Sequence, residues 1–205
     1  MKLYLAPGAC SLSPHIVLHE AGLAFETVAV DLGAKKTADG RDFWAINPKG
    51  YVPALELDNG VVLTEGTAIV QYIADLVPAS GLAPANGSLE RYQLQEWLGF
   101  INSELHKSWG PLWRPSSTDE VKEATRKQLL GRLAFVASSL GQQPWLMGET
   151  FSVADAYLYV MLYWARYTGL DLSGLPTLLA YRDRVEARPS VQTALAAEKA
   201  LRPKK

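Results

Sequence analysis

Residues 47–77 read NPKGYVPALELDNGVVLTEGTAIVQYIADLV. Two apolar runs, ALEL and VVL, flank the turn sequence Asp58-Asn59-Gly60 and predict a β-hairpin. Apolar residues then recur at helical spacing through EGTAIVQYIADLV and predict a helix. This stretch therefore predicts a strand–strand–helix segment, around which the first part of the chain can be interpreted.

The residues before this segment add two strands and two helices. KLYLA (2–6) and FETVAVDL (25–32) have the composition of strands, and GRDFWAIN (40–47) predicts a short helix. SLSPHIVLHEAG (11–22) predicts a longer helix, with Ser11 as its N-cap and Gly22 near its C-terminus. The predicted order is β-α-β-α-β-β-α within residues 1–78.

The remainder of the chain has a different character. PASGLAPANGS (78–88) has the composition of a linker, and no strand pattern follows it. Helical patterns cover the ranges 89–110, 119–140, 153–169, 175–188 and 190–199. We therefore predict an α/β domain over 1–78, a linker over 79–88 and an all-helical domain over 89–205.

Composition and charge exclude several classes of protein. The net charge is −1. Residues 1–80 contain five basic and nine acidic residues, whereas residues 81–205 contain fifteen basic and twelve acidic residues. This asymmetry of charge fits two domains. No basic cluster suggests nucleic acid, and no stretch approaches the roughly 20 apolar residues of a membrane span. No secretory segment and no zinc-ligand spacing is present, and a single cysteine cannot form an internal disulfide. We expect a cytoplasmic protein without a metal.

The single cysteine lies in PGACSLSPH (7–15), where a strand ends and a helix begins. A helix N-terminus can lower a thiol pKa from about 8.5 to roughly 3.5–7.5. A lone cysteine can also be a buried structural residue. Cys10 lies in a turn, between Gly8 and Ser11, and this position favours a reactive thiol.

Val52 and Pro53 precede the hairpin. A cis bond here would leave the N–H and C=O of Val52 available to an extended peptide. Only about 5–6% of X–Pro bonds are cis, whereas the position just before a strand favours a cis bond. From the residues alone, an ordinary trans turn therefore stays equally open.

The helix after the hairpin begins in TEGTA (64–68). Thr64 or Glu65 can cap it, and the N–H groups of Gly66 and Thr67 can bind a carboxylate. A plain capped helix start is the alternative interpretation.

Five segments together resemble the bacterial beta-class glutathione S-transferases: PGACSLSPH (7–15), NPKGYVPAL (47–55), TEGTAIVQYIAD (64–75), EWLGFINSELHKS (96–108) and FSVADAYLY (151–159). The resemblance covers essentially the whole chain. It implies an α/β thioredoxin-like N-terminal domain, an all-α C-terminal domain and a homodimer. It also implies glutathione as co-substrate, small hydrophobic electrophiles as partners and no tightly bound cofactor.

The resemblance assigns glutathione contacts in the first domain. Val52, beside cis-Pro53, would pair with the cysteinyl backbone of glutathione. Glu65 would bind its ammonium group, and the N–H of Gly66 its γ-glutamyl carboxylate. Lys35 would neutralise its glycyl carboxylate.

The resemblance assigns catalytic roles to Cys10, His106 and Ser11, with Cys10 able to form a mixed disulfide with glutathione. Tyr4 and Ser11 lie where other transferase classes carry the activating hydroxyl. His106 is expected to face the thiol from the second domain, although a structural histidine is the alternative. Further glutathione contacts are assigned to Ser103, Glu104 and Lys107, and for the first two the glutathione of either subunit stays open.

Aromatic residues of the second domain are candidates for an electrophile pocket: Trp109, Trp113, Tyr163, Trp164 and Tyr167. Aromatics at helical spacing also predict a core, so both interpretations stand. Gly99 departs from the resemblance, because related sequences often carry Asn there, and Asn102 lies nearly one turn away. Weaker or rearranged glutathione binding is expected.

Ser152-Val153-Ala154-Asp155 reads as a capping box, with Phe151 as its hydrophobic staple, and we assign it to folding. The favoured function is conjugation of glutathione to electrophiles. Glutathione-dependent thiol–disulfide exchange or reductive dehalogenation is the alternative enzymatic function. A non-catalytic protein that binds hydrophobic compounds is the alternative from another class.

Overall fold

The computed structural model describes residues 1–202. They form two compact units, one comprising Met1–Ala83 with the segment from Ala187 onward, and the other comprising Pro84–Glu186. The break after residue 83 lies inside the predicted linker. The second break, before residue 187, has no counterpart in the sequence prediction.

The first unit contains a five-stranded mixed sheet. Its strands are β1 (Lys2–Leu5), β2 (Glu26–Asp31), β3 (Lys36–Thr37), β4 (Ala54–Glu56) and β5 (Val62–Thr64). Their spatial order is β3-β2-β1-β4-β5, with β1 and β2 parallel and the other pairs antiparallel. The predicted strands and the hairpin are confirmed. Strand β3 was not predicted, because two residues are too short to show a pattern.

Helices cover this sheet: α1 (Leu12–Glu20), α2 (Phe43–Ile46) and α3 (Gly66–Leu76), with a 3-10 turn at Pro78–Ser80. Leu3, Tyr4 and Leu5 of β1 are completely buried, as are most residues of α1. The core of the first unit therefore lies between the central strand and its helices, and the loops at the strand ends hold the predicted site residues.

Helix α9 (Pro189–Ala200) also packs in the first unit, whereas the sequence prediction placed all of 89–205 in one helical domain. The physical reason is a set of polar contacts that no sequence pattern reveals. The buried carboxylate of Glu198 lies 3.1 Å from Nδ1 of His15 and accepts the N–H of Gly8 at 2.7 Å. Arg188 donates two hydrogen bonds to Glu20.

The second unit is helical in the residues that the structure describes. It contains α4 (Leu89–Phe100), a π-helical turn (Ile101–Leu105), a 3-10 turn (His106–Trp109), α5 (Gly110–Trp113), α6 (Asp119–Leu140), α7 (Val153–Thr168) and α8 (Pro176–Glu186). The predicted helical runs are confirmed. However, the run over 89–110 is broken by the π-helical turn.

Helix α7 is buried along most of its length and begins at the predicted capping box. Oδ2 of Asp155 accepts the N–H of Ser152 at 2.8 Å and its hydroxyl at 2.7 Å. Oδ1 of Asp155 accepts the N–H of Leu146 and the hydroxyl of Tyr181. Four donors on one buried carboxylate agree with a role in folding. Within residues 1–202, no helix is both long and apolar enough to span a membrane.

Candidate active site

The turn before α1 holds the thiol. Sγ of Cys10 lies 3.3 Å from the carbonyl oxygen of Val52, and Cys10 is partly exposed. Gly8 has φ +80, a conformation that a residue with a Cβ rarely adopts, so the chain can turn sharply before the thiol. The long-range contact between residues 10 and 52 therefore joins the first strand–helix turn to the loop before β4.

The Val52–Pro53 peptide bond is cis, which confirms that prediction. Val52 and Pro53 are buried, and β4 begins at the next residue. A Cβ on Gly66 would lie 3.8 Å from Cγ of Pro53, so the start of α3 packs directly against the cis-proline. The two sequence segments that predicted a peptide-binding site are thus adjacent in space.

The start of α3 differs from the predicted cap. Glu65 is the N-cap residue with φ 72, and its side chain does not cap the helix. Instead, Nζ of Lys49 lies 2.7 Å from the carboxylate of Glu65 and 3.1 Å from the hydroxyl of Thr64. Among the described residues, the N–H groups of Gly66 and Thr67 have no hydrogen-bond partner. The helix start is therefore available to a carboxylate.

Lys35 is held in a fixed place beside this region. Its φ is 54, and its Nζ donates to the carbonyl oxygen of Gly50 at 2.8 Å. The same Nζ lies 5.6 Å from the ring centroid of Trp44 and 5.7 Å from that of Tyr51. Both residues are exposed, so the ammonium group is stabilised by cation–π contacts near the surface.

Two hydroxyls considered as alternatives to the thiol are engaged elsewhere. Ser11 is completely buried, and its Oγ lies 3.1 Å from the N–H and 3.3 Å from the carbonyl oxygen of Ala6. Ser11 thus occupies the N-cap position without capping α1 through its side chain, contrary to the predicted cap. Tyr4 is also buried and donates to Glu56, and its pKa is raised by burial and by that hydrogen bond.

In the second unit, His106 follows the π-helical turn directly. Its Nδ1 lies 2.6 Å from the hydroxyl of Tyr157, which donates to Oδ1 of Asn102 at 3.0 Å. Burial, and then the charge of Lys107, lowers the pKa of His106 from 6.5 to about 4. The imidazole is therefore neutral at physiological pH.

Trp164 is the centre of a cluster of rings around His106. Its ring centroid lies 5.1 Å from that of His106, 5.8 Å from that of Trp113 and 6.1 Å from that of Trp109. Trp109 is completely buried and belongs to the core, whereas Trp113 is 45% exposed. Tyr167 packs against Tyr163, with their ring centroids 5.2 Å apart.

The remaining predicted contacts lie on the same helical segment. Ser103 and Lys107 are exposed, and the carboxylate of Glu104 forms an ion pair with Arg132 at 2.8 Å. A Cβ on Gly99 would meet nothing within 4 Å. An asparagine at this position is therefore sterically possible.

The predicted residues thus form one group in each unit. The first unit brings together Cys10, Val52, Pro53 and Gly66, and the second brings together His106, Trp109, Trp113 and Trp164. Among residues 1–202, no cluster of His, Cys, Asp or Glu has the arrangement of a metal site.

The sequence interpretation missed Lys49 and Tyr157. Lys49 contacts Glu65 because the hairpin between them brings the two residues together. A contact of this kind leaves no periodic pattern in the sequence. Tyr157 had a weak signal, namely a hydroxyl in an otherwise apolar helical segment.

Comparison with known proteins places the chain in one enzyme family. Residues 1–75 match the family model of the glutathione S-transferase N-terminal domain, and residues 100–189 match that of the C-terminal domain. Glutathione S-transferase GstA of Escherichia coli O157:H7 is 48% identical, and the alignment covers 97% of this chain and 98% of the relative. The chain belongs to the glutathione S-transferase family, and the protein is a glutathione transferase.

Solved structures narrow this assignment to a class. A sphingomonad glutathione S-transferase complexed with glutathione is 51% identical, with a TM-score of 0.94 over 97% of this chain and 99% of that one. The bacterial beta-class glutathione S-transferase of Sphingomonas chungbukensis is 49% identical, with a TM-score of 0.93 over 97% and 98% of the two chains. The chain is a bacterial beta-class glutathione S-transferase.

Proposed function

We propose that this transferase conjugates the glutathione thiolate to small hydrophobic electrophiles, and that Cys10 forms a mixed disulfide with glutathione. The observation that carries the proposal is the position of Cys10, 3.3 Å from the carbonyl oxygen of the residue before cis-Pro53. A tripeptide that pairs with the Val52 backbone as an added strand would bring its own thiol to Cys10.

The charges of glutathione fit the groups of the first unit. Its γ-glutamyl carboxylate would accept the N–H of Gly66, which has no partner among the described residues. Its ammonium group would bind Glu65, and its glycyl carboxylate would bind Lys35, which is already fixed by Gly50. Ser103, Glu104 and Lys107 would complete the contacts. For Glu104, this requires sharing or releasing its ion pair with Arg132.

In the conjugation step, the glutathione sulfur bonds to the electrophilic carbon, and the leaving group departs with the electron pair of its bond. The neutral imidazole of His106 would accept a hydrogen bond from the thiol, and the thiol proton would pass to solvent, because a pKa of about 4 makes the imidazole too weak a base to hold it. The rings around Trp164 would bind the hydrophobic part of the electrophile. Ser11 would act only indirectly, by fixing the turn through Ala6.

Thiol–disulfide exchange is the second candidate, and the partial exposure of Cys10 favours it. The Cys10 thiolate would attack the glutathione sulfur of a mixed disulfide, form a Cys10–glutathione disulfide and release the other thiol. A second glutathione thiolate would then attack the glutathione sulfur of this new disulfide. This step restores the Cys10 thiolate and releases glutathione disulfide. Reductive dehalogenation would also use a mixed disulfide between Cys10 and glutathione, which a second glutathione resolves.

The test compares two activities of the purified protein with glutathione. One assay follows conjugation of 1-chloro-2,4-dinitrobenzene, and the other follows reduction of a glutathione mixed disulfide. Conjugation with a panel of electrophiles would support the first function, and exchange without conjugation would support the second. Tight binding of hydrophobic compounds, with neither conjugation nor exchange, would support the alternative of a non-catalytic binding protein.

We also propose a cytoplasmic homodimer built across the edge of the first domain and the helical segment over 89–110. Support comes from a partly exposed ring cluster in which Phe135 lies 5.2 Å from Phe100 and 6.3 Å from Trp97, centroid to centroid. Phe135 is 53% exposed, and apolar patches of this kind often mark interfaces. Light scattering should give about twice the chain mass of 22.4 kDa, and a monomer at micromolar concentration would contradict the dimer.

A further inference from the structure

The hydrogen bonds around Tyr157 determine which nitrogen of His106 carries its proton. A tyrosine hydroxyl has one hydrogen, and the side-chain carbonyl of Asn102 can only accept. The Tyr157 hydroxyl donates to Oδ1 of Asn102 at 3.0 Å, so its hydrogen is already used. Nδ1 of His106, which is 2.6 Å from the same hydroxyl oxygen, must therefore be the donor of that contact.

We infer that Tyr157 and Asn102 are positioning residues that hold His106 in the tautomer protonated at Nδ1, leaving the lone pair on Nε2. This inference rests on the proposed role of His106 toward the glutathione thiol. In this tautomer, Nε2 can accept a hydrogen bond from a thiol. In the other tautomer, Nε2 would donate and could only stabilise a thiolate that another group had already deprotonated.

The backbone explains why Asn102 and His106 reach the same hydroxyl. They are four residues apart, so they lie on one side of the helical segment, which is π-helical over Ile101–Leu105. The edge-to-face contact of the Trp164 ring with His106, at 5.1 Å, further restricts rotation of the imidazole. The neutral state follows from burial and from Lys107, which lower the pKa of His106 to about 4.

The experiment uses the full chain with 15N-labelled histidine. The chain has three histidines, and loss of one set of signals in His106→Gln assigns those of His106. At neutral pH, long-range 15N–1H spectra should show a proton on Nδ1 and an unprotonated Nε2. A proton on Nε2 in the wild type would overturn the inference, whether or not the protein is an active transferase.

Tyr157→Phe removes the acceptor of the Nδ1 proton. It should shift His106 toward the Nε2-protonated form and lower kcat/KM for conjugation about tenfold, the value of one lost hydrogen bond. Tyr159→Phe is the matched control on the same helix, because the buried hydroxyl of Tyr159 has no hydrogen-bond partner among the described residues. This control should change neither the tautomer nor the activity.

A conservative variant separates positioning from folding. Asn102→Asp keeps an oxygen that accepts from Tyr157 and should retain the Nδ1-protonated form, whereas Asn102→Leu should lose it. An unchanged tautomer in both Tyr157→Phe and Asn102→Leu would overturn the inference even if activity fell. If Tyr157→Phe does not fold, the two Asn102 variants decide the question alone. If the protein lacks transferase activity, the spectra still test the tautomer.

Discussion

Sγ of Cys10 lies 3.3 Å from the carbonyl oxygen of Val52, although the two residues are separated by 42 positions and lie on different elements. Val52 immediately precedes cis-Pro53, and the start of α3 packs against that proline. The thiol, the backbone of Val52 and a helix N-terminus therefore meet in one region of the first unit. The predictions on Cys10 and Glu65 follow from this arrangement.

Replacing Cys10 by Ala should abolish mixed-disulfide formation and thiol–disulfide exchange, because that route requires a covalent sulfur partner. Conjugation should fall by about tenfold or less, the scale of one lost polar contact, because His106 and the helix start still act on the glutathione thiol. Both activities should be measured on one preparation. Because Cys10 is the single cysteine, the variant contains no thiol, and full retention of exchange would remove Cys10 from the mechanism.

Replacing Glu65 by Gln should weaken glutathione binding about tenfold. A charge-assisted hydrogen bond is worth roughly 1.5–3 kcal/mol when it is buried, and less at a surface site such as this one. Calorimetry should show the loss for glutathione but not for its analogue without the amino group, which cannot use the carboxylate. An equal loss for both ligands would contradict the assignment of Glu65 to the ammonium group.

Replacing Gly99 by Asn should tighten glutathione binding, because it supplies the polar contact that related sequences often have. A Cβ meets nothing within 4 Å at this position, so the change costs no packing. Gly99→Ala is the control for helix propensity, which favours alanine by about 1 kcal/mol. Both variants should raise the melting temperature, and only Gly99→Asn should lower the dissociation constant. Equal binding by the two variants would mean that Gly99 does not affect glutathione affinity.

Replacing Ser152 by Ala should lower the free energy of unfolding by about 0.5–2 kcal/mol, the usual value of a helix cap. Asp155→Ala should cost more, because it leaves several buried donors without an acceptor. Chemical denaturation gives both values, and activity per folded molecule should stay near that of the wild type. A sharp loss of activity at unchanged stability would assign this box to catalysis instead.

His106 should make the fold sensitive to acid. Its pKa in the folded protein is about 4, below the ordinary 6.5, so the unfolded chain binds its proton first as pH falls. The free energy of unfolding should therefore decrease as pH falls from 6.5 towards 4, and this contribution should vanish above 6.5. Calorimetry of the wild type and His106→Gln should show a difference in melting temperature that changes across this window. A constant difference would contradict the lowered pKa.

The local elements and the family could be predicted from the amino-acid sequence. Hydrophobic periodicity at period 2 and at helical spacing located the longer strands and helices, because each pattern reflects which face of an element is buried. The hairpin at Asp58-Asn59-Gly60 and the capping box at Ser152–Asp155 were predictable for the same reason: their hydrogen bonds join residues close in the chain. The five motifs, in order, then identified the transferase family.

The contacts between residues distant in sequence came from the folded structure. It placed Cys10 against Val52, paired Lys49 with Glu65 and joined α9 to the first unit through Glu198 and His15. It also placed Tyr157 against His106, which fixes the protonated nitrogen of the imidazole. Such contacts depend on how packed elements bring side chains together, and packing leaves no periodic trace in the chain. For this reason the residues of the site were predictable one by one, whereas their hydrogen-bond partners were not.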